Sequence, residues 1–440
     1  MRGLSAPTGA GFAAPASARV PPAPPFVAVV LLLFAVSGGV LWYLGLNYDG
    51  LSGSAAAKIH PATYVSVVLV AWVMVRRGDP VGFGVRAGRA RPASLFLLAV
   101  AAALSAHIAL RSGSGLAGSI DTFVGPALLV VAMMDLDAEG LRRIEVALHA
   151  VMAANAGLGL AEFLTGTLVF PYRFDGAVFE TDTRSAALQG HPLANATITA
   201  VYLLAVMAGG CAALPRILRA PMMVLQLVAL VTFGGRSAIV VALVLGAGYG
   251  VVAMNRVLRT GRVPLLGAAF ALALLTIAPL AAAGLAVGGF FDRLALRFVS
   301  DGGSANARIE MFDLFDRIPL RDLMFGPDTA LVDSLRRVSG LEWGIENPII
   351  RMVLYQGIFM TSLVTLAVVL FVAEVVRWSR PGTLLPTLAF AILINTSESL
   401  AGKTSLLTKF AVLMLVLYRP LPRPGPRRGL RRGRGLSPAP

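Results

Sequence analysis

Long apolar runs separated by short polar ones make up most of the chain. The runs lie near Phe26–Leu46, Ala57–Val75, Ala93–Leu110, Ile120–Met134, Val146–Phe170, His191–Leu214, Ile217–Phe233, Ser237–Met254, Pro264–Phe290, Pro348–Val376, Thr383–Asn395 and Thr404–Tyr418. Most approach the roughly 20 residues that a helix needs to cross a bilayer core. In hydrocarbon every backbone N–H and C=O must be bonded inside its own segment, which a separate run achieves as a helix. The expected fold class is therefore an all-α integral membrane protein of about twelve transmembrane helices.

The polar runs sort by charge. Residues 76–92, 141–145, 215–221, 255–262, 377–380 and 422–434 are all rich in arginine. Twelve crossings that start from a cytoplasmic N-terminus put all of these blocks on one side, as the bias of cytoplasmic loops toward Lys and Arg requires. Both termini are then cytoplasmic. Tails at Met1–Pro25 and Pro420–Pro440 are expected to be disordered, and no cleavable signal peptide is expected. Helices one to nine occupy 26–290, a large outer loop 291–347, and helices ten to twelve 348–419.

The stretch VTFGGRSAIV tests this scheme, because Arg236 is the one charge between Met222 and Met254. An arginine at the bilayer centre costs roughly 2.5–3.5 kcal/mol on insertion scales. As a single helix the stretch would be about 50 Å long, against a hydrocarbon core of about 30 Å. Two spans joined by a tight GGRS turn fit better, with Gly234 and Gly235 supplying the backbone freedom. Arg236 then lies at the outer surface.

The segment from Phe291 to Asn347 is neither apolar nor short, and it carries seven arginines and ten carboxylates. Ile309, Phe312, Leu314, Phe315 and Ile318 recur at helical spacing, which predicts a short amphipathic helix ending near Pro319. A second outer loop runs from Pro171 to Gly190.

Composition narrows the class further. Of 440 residues 57% are hydrophobic and 14% charged, and the mean hydropathy is +0.77, which excludes a water-soluble domain. The net charge of +15 sits in short blocks between apolar runs. That pattern sets topology and meets lipid headgroups; nucleic acid is not an expected partner. Cys211 is the sole cysteine, so no intrachain disulfide forms. His60, His107, His149 and His191 lack metal-ligand spacing, and no metal or cofactor is expected.

Outer-face groups that could carry chemistry are Arg184 and His191 before the sixth span, Arg236, and Arg308 and Glu346 in the large loop. Arginine suits a phosphate-bearing substrate, because its planar fork pairs two oxygens and keeps its charge. With GGRSAIV between two outer-ending spans, SANARIEMFDLFDRIPLRDLMFGPD in the loop, and GIENPIIRMVLYQG entering the next span, the chain resembles the O-antigen ligase/polymerase superfamily. Exopolysaccharide polymerases are the most similar branch, and the match runs from about His191 to Gly357.

The resemblance implies a metal-independent, inverting glycosyl transfer from an oligosaccharide on undecaprenyl pyrophosphate, at the periplasmic face of a bacterial inner membrane. By the same resemblance Arg236 and Arg308 hold the pyrophosphate, and Asn347 matches the asparagine of the loop-end motif. Glu346 stands where ligases carry histidine and would act as base, which leans the reading toward a polymerase. Arg184, His191 and Arg351 are further substrate-binding candidates. Membrane lipids and other polysaccharide assembly or export proteins are the expected partners.

Each residue also has a plainer reading. Arg236 could snorkel to the interface, Arg308 could be solvated, and Glu346 or His191 could cap a helix. Lys403 and Lys409 read as interfacial anchors. Asp49, in the first outer loop, could resemble the catalytic aspartate of another integral-membrane glycosyltransferase architecture, but an Asp-Gly in a loop reads first as part of a turn. The competing function is a polytopic transporter or flippase of lipid-linked saccharides, for which internal repeats are expected; none is evident.

Overall fold

The computed structural model describes residues 21–50, 53–111, 115–174, 176–179, 182–261, 304–341, 345, 347–396 and 400–420, with isolated positions between 283 and 292. Most of both expected tails and of the ninth expected span lie outside the described residues.

The chain is an all-α membrane protein. Its helices are α1 (Pro24–Ala35), α2 (Gly38–Tyr43), α3 (Pro61–Arg77), α4 (Pro80–Ala90), α5 (Pro92–Arg111), α6 (Leu116–Ser119), α7 (Gly125–Met133), α8 (Ala138–Thr165), α9 (Pro192–Met207), α10 (Arg216–Phe233) and α11 (Arg236–Thr260). After these come α12 (Ser304–Asp316), α13 (Leu320–Phe325), α14 (Thr329–Val338), α15 (Pro348–Gln356), α16 (Ile358–Trp378), α17 (Leu384–Thr396) and α18 (Leu406–Leu417). A π-helical turn, Ile120–Val124, joins α6 to α7. Proline opens α1, α3, α4, α5, α9 and α15, where its missing N–H is not needed.

Six of these are long and apolar enough to cross a membrane: α5, the α6–α7 unit, α8, α10, α11 and α16. The apolar helices α1, α9, α17 and α18 are shorter. The second expected span is α3, 17 residues that end in Arg76 and Arg77. Helices α9 and α18 are buried along nearly their whole length, and they take polar residues inside with them, among them Asn195 and Lys409. Helix α9 packs against α10, α11, α17 and α18.

Two expected spans are not continuous. The first, Phe26–Leu46, breaks at Val36 and Ser37, whose backbone is extended. The tenth, Pro348–Val376, breaks at Gly357, where φ 86° and ψ 163° divide α15 from α16. By contrast, the GGRS turn is as expected: α10 ends on Gly234 at φ 64°, and Gly235 opens α11 at Arg236.

The large loop builds a core of its own. Met311, Leu314, Ile318, Leu323, Val332, Leu341 and Ile345 pack together, and Ile350 and Leu354 of α15 complete the cluster. The expected amphipathic helix is α12, with a shifted face: Met311 is buried, whereas Phe312 is 57% exposed. The loop is moored to the end of α5 by Arg111, which donates to the carbonyls of Tyr355 (2.7 Å) and Pro327. Gly326 and Gly357 meet backbone to backbone beside it, and a Cβ on Gly357 would overlap the Gly326 amide.

Candidate functional site

Helices α3, α9 and α18 begin at one end of the molecule around a cavity of about 310 Å³. The first wall is the α1–α2 break, Val36 to Gly38. Breaking a helix frees carbonyls, and two distant side chains take them: Gln189 Nε2 donates to Phe34 O (2.8 Å), and His60 Nε2 donates to Val36 O (2.7 Å). His60 Nδ1 accepts from the Ala62 amide at 3.1 Å, which puts the ring proton on Nε2. Irregular backbone at membrane depth is tolerated where it lines a cavity, and this break does. Ser37, 6% exposed, faces the cavity with a hydroxyl that has no hydrogen-bond partner among the described residues. Buried hydroxyls are normally bonded; this one keeps its donor and acceptor capacity toward the cavity.

Cations line much of the remaining wall. Lys409, 5% exposed inside α18, donates to Gln189 Oε1 at 2.5 Å. Lys403 precedes the same helix. Arg173 sits on a two-residue hairpin, with Arg173 paired to Val178, and its guanidinium lies 4.4 Å from the Trp42 ring centroid. Its Nε is buried without a partner among the described residues. Arg351 reaches the cavity from α15, and His191 from the start of α9.

Asp49 is the one carboxylate among the described lining residues. Its Oδ1 lies 3.7 Å from Lys403 Nζ. Burial pushes the Asp49 carboxyl above its usual value of 3.8, against the opposing pull of Lys403, His191 and Arg173. Burial also lowers the Lys403 ammonium from 10.5, with Asp49 and Asp121 opposing. A pocket so lined can hold a multiply charged anion and keep a carboxylate beside it.

Two of the residues expected from sequence line this cavity, His191 and Arg351. His191 also caps α9, its Nδ1 accepting from the Leu193 amide at 3.2 Å, and its ring meets Tyr172 edge-on. Arg236 does not line it. It is the first residue of α11, half-buried, and the preceding Gly235 backs onto Ala196, two residues from the lining Ala194. Arg184 grips Asp182 with both Nε (2.7 Å) and a terminal nitrogen (2.5 Å). Asn347 Oδ1 caps α15 by accepting from the amides of Ile349 (3.0 Å) and Ile350 (3.1 Å). Glu346 and the side chain of Arg308 lie outside the described residues; α12, which bears Arg308, packs on α15, which bears Arg351.

Sequence reasoning set Lys403 and Lys409 aside as anchors and Asp49 as a turn residue, and it did not single out Arg173. For Lys409 a signal existed: a lysine inside the apolar run LLTKFAV is by default a functional residue. Among the described residues no cluster of His, Cys, Asp and Glu could hold a metal ion. The chain matches no family model, no curated protein and no solved structure.

Proposed function

We propose that the chain is an integral-membrane glycosyltransferase that joins oligosaccharide repeats carried on a lipid pyrophosphate, as a polymerase of cell-surface polysaccharide. The observation that carries this reading is the cavity itself, a cation-lined pocket built into an otherwise apolar helical protein. Lys403, Lys409, Arg173 and Arg351 are matched to a pyrophosphate, whose charge grows as the sugar leaves it.

Orientation follows from the two ends of the same helices. Helix α3 begins at the cavity and ends in Arg76 and Arg77; α18 begins there and ends at Leu417, two residues before Arg419. Arginine-rich ends belong in the cytoplasm, which supports a reading with the cavity on the outer side and both termini inside; in this reading the membrane is a bacterial inner membrane. The GGRS turn and the large loop share that end. In this reading Arg236 and Arg308 act on the donor's pyrophosphate, as the family resemblance implies.

The lipid-bound saccharides of a deletion strain test the function. Single repeats accumulating on the lipid at the outer face are the expected result. Long polymer left on the lipid would mean a ligase, and repeats trapped inside would mean a flippase. At the rim, Arg236→Lys is expected to insert normally and lose most of its polymer, because an ammonium cannot replace a bidentate fork. Wild-type polymer at matched membrane abundance would make Arg236 a snorkelling residue.

A further inference from the structure

We propose that Asp49 takes the proton from the attacking hydroxyl, and that the π-turn at 120–124 sets it in place by gripping the two loops that meet there. The proposal rests on the glycosyl-transfer reading above and names the base for it.

The geometry is built from three distant segments. Lys403 Nζ, beside the Asp49 carboxylate, also donates to the Tyr48 carbonyl and lies 3.5 Å from the Tyr48 ring centroid. The Tyr48 hydroxyl donates to Asp121 Oδ2 at 3.0 Å. The next residue, Thr122, holds the other loop: its hydroxyl donates to Gly402 O (2.9 Å) and accepts from the Thr404 amide (3.2 Å). Two consecutive residues of one π-turn thus fix the loop bearing Asp49 and the loop bearing Lys403. π-turns are rare and concentrate at functional sites. Room for the carboxylate comes from Gly38 in the broken first helix, where a Cβ would overlap it.

Asp121 is a positioning residue. It is 1% exposed and already accepts from Thr63 Oγ1 (2.7 Å) and the His60 amide (2.9 Å), as well as from Tyr48. Asp49, by contrast, faces the cavity. As the acceptor oxygen bonds to the anomeric carbon, its proton passes to an Asp49 oxygen. The carbon–oxygen bond to the pyrophosphate breaks, and the electron pair leaves with the lipid pyrophosphate, toward Lys409 and Arg351. Attack opposite the leaving group inverts the anomeric centre. The proton then passes to water or to the released pyrophosphate, and the carboxylate is restored.

The raised affinity of Asp49 for a proton improves it as a base near neutral pH. The sign of the pH effect follows. Activity requires the ionised form, so it falls as pH drops through a value above 3.8. The charged and titratable groups around it are Lys403, His191, Arg173, Arg351, Lys409, His60, Tyr48 and Tyr172, with Asp121 behind Tyr48.

The test is sugar transfer by the purified chain in vesicles supplied with a lipid-pyrophosphate oligosaccharide. Asp49→Asn should lower kcat about 10²–10⁴-fold, with the donor KM little changed. Asp49→Glu should retain part of the rate with a displaced acid limb. Asp121→Asn should lose less and also displace that limb, which simple loosening of the fold would not do. If Asp49→Asn fails to accumulate, the acid limb of Asp49→Glu decides: movement supports the proposal and constancy overturns it. Wild-type kcat in Asp49→Asn, with transfer abolished by Glu346→Gln, would move the role to Glu346. No transfer by the wild type would overturn the glycosyltransferase reading, and this proposal with it.

Discussion

Replacing Lys409 by methionine is expected to raise the KM for a lipid-pyrophosphate donor by about 10- to 100-fold while leaving the protein in the membrane at normal abundance. The ammonium is buried within α18 and lines the cavity beside Gln189. A hydrogen bond to a charged group contributes about 1.5–3 kcal/mol, or one to two decades of affinity. Methionine keeps the length and the apolar packing of the stem, and removing a buried charge also removes its desolvation cost. The structural penalty includes Gln189 Oε1, which loses this donor, and the Phe34 ring, whose centroid lies 5.9 Å from the ammonium. Donor titrations in vesicles, at equal protein, measure the effect. An unchanged KM would mean that Lys409 anchors the helix and does not meet substrate.

Gly357→Ala is expected to release the large loop and to abolish transfer. Gly357 has φ 86° and ψ 163°, a region essentially reserved for glycine, where another residue costs about 1–3 kcal/mol. The added methyl would also collide with the Gly326 amide and the end of α13, and rigid backbone cannot yield as a side-chain tip can. Forcing these two backbones apart would pull Pro327 and Tyr355 off Arg111, which bonds both of their carbonyls. Limited proteolysis should cut the 304–347 segment faster in the variant, while the helices that carry Lys403 and Lys409 stay protected. A wild-type cleavage pattern together with wild-type activity would show that this junction does not hold the loop.

Much of the helical layout was legible because membrane helices are written in apolar length, and arginines mark their ends. The GGRS turn was legible for a quantitative reason: one helix of that length does not fit a bilayer. The break at Val36–Ser37 was not, since Phe26–Leu46 reads as one apolar run and the freed carbonyls are taken by His60 and Gln189, far along the chain. The break at Gly357 depends on a backbone conformation set by its packing against Gly326. The face of α12 was misread at Phe312, because the helix packs onto α15, outside the expected loop. Asp49 and Lys403 each look like ordinary loop residues; they become a pair through Asp121 and Thr122, whose π-turn has no sequence signature. His191 and Arg351 were found through the order of motifs, without any view of the cavity they share with the lysines.

The most direct measurement of the central claim is the size distribution of saccharide on lipid after the purified chain, in vesicles free of other proteins, meets a lipid-pyrophosphate-linked repeat. The account predicts a ladder of lengthening chains with release of one lipid pyrophosphate per bond formed, and its collapse to single repeats in Lys409→Met at low donor. Repeats that cross the vesicle membrane unlengthened, or that remain untouched, would contradict it.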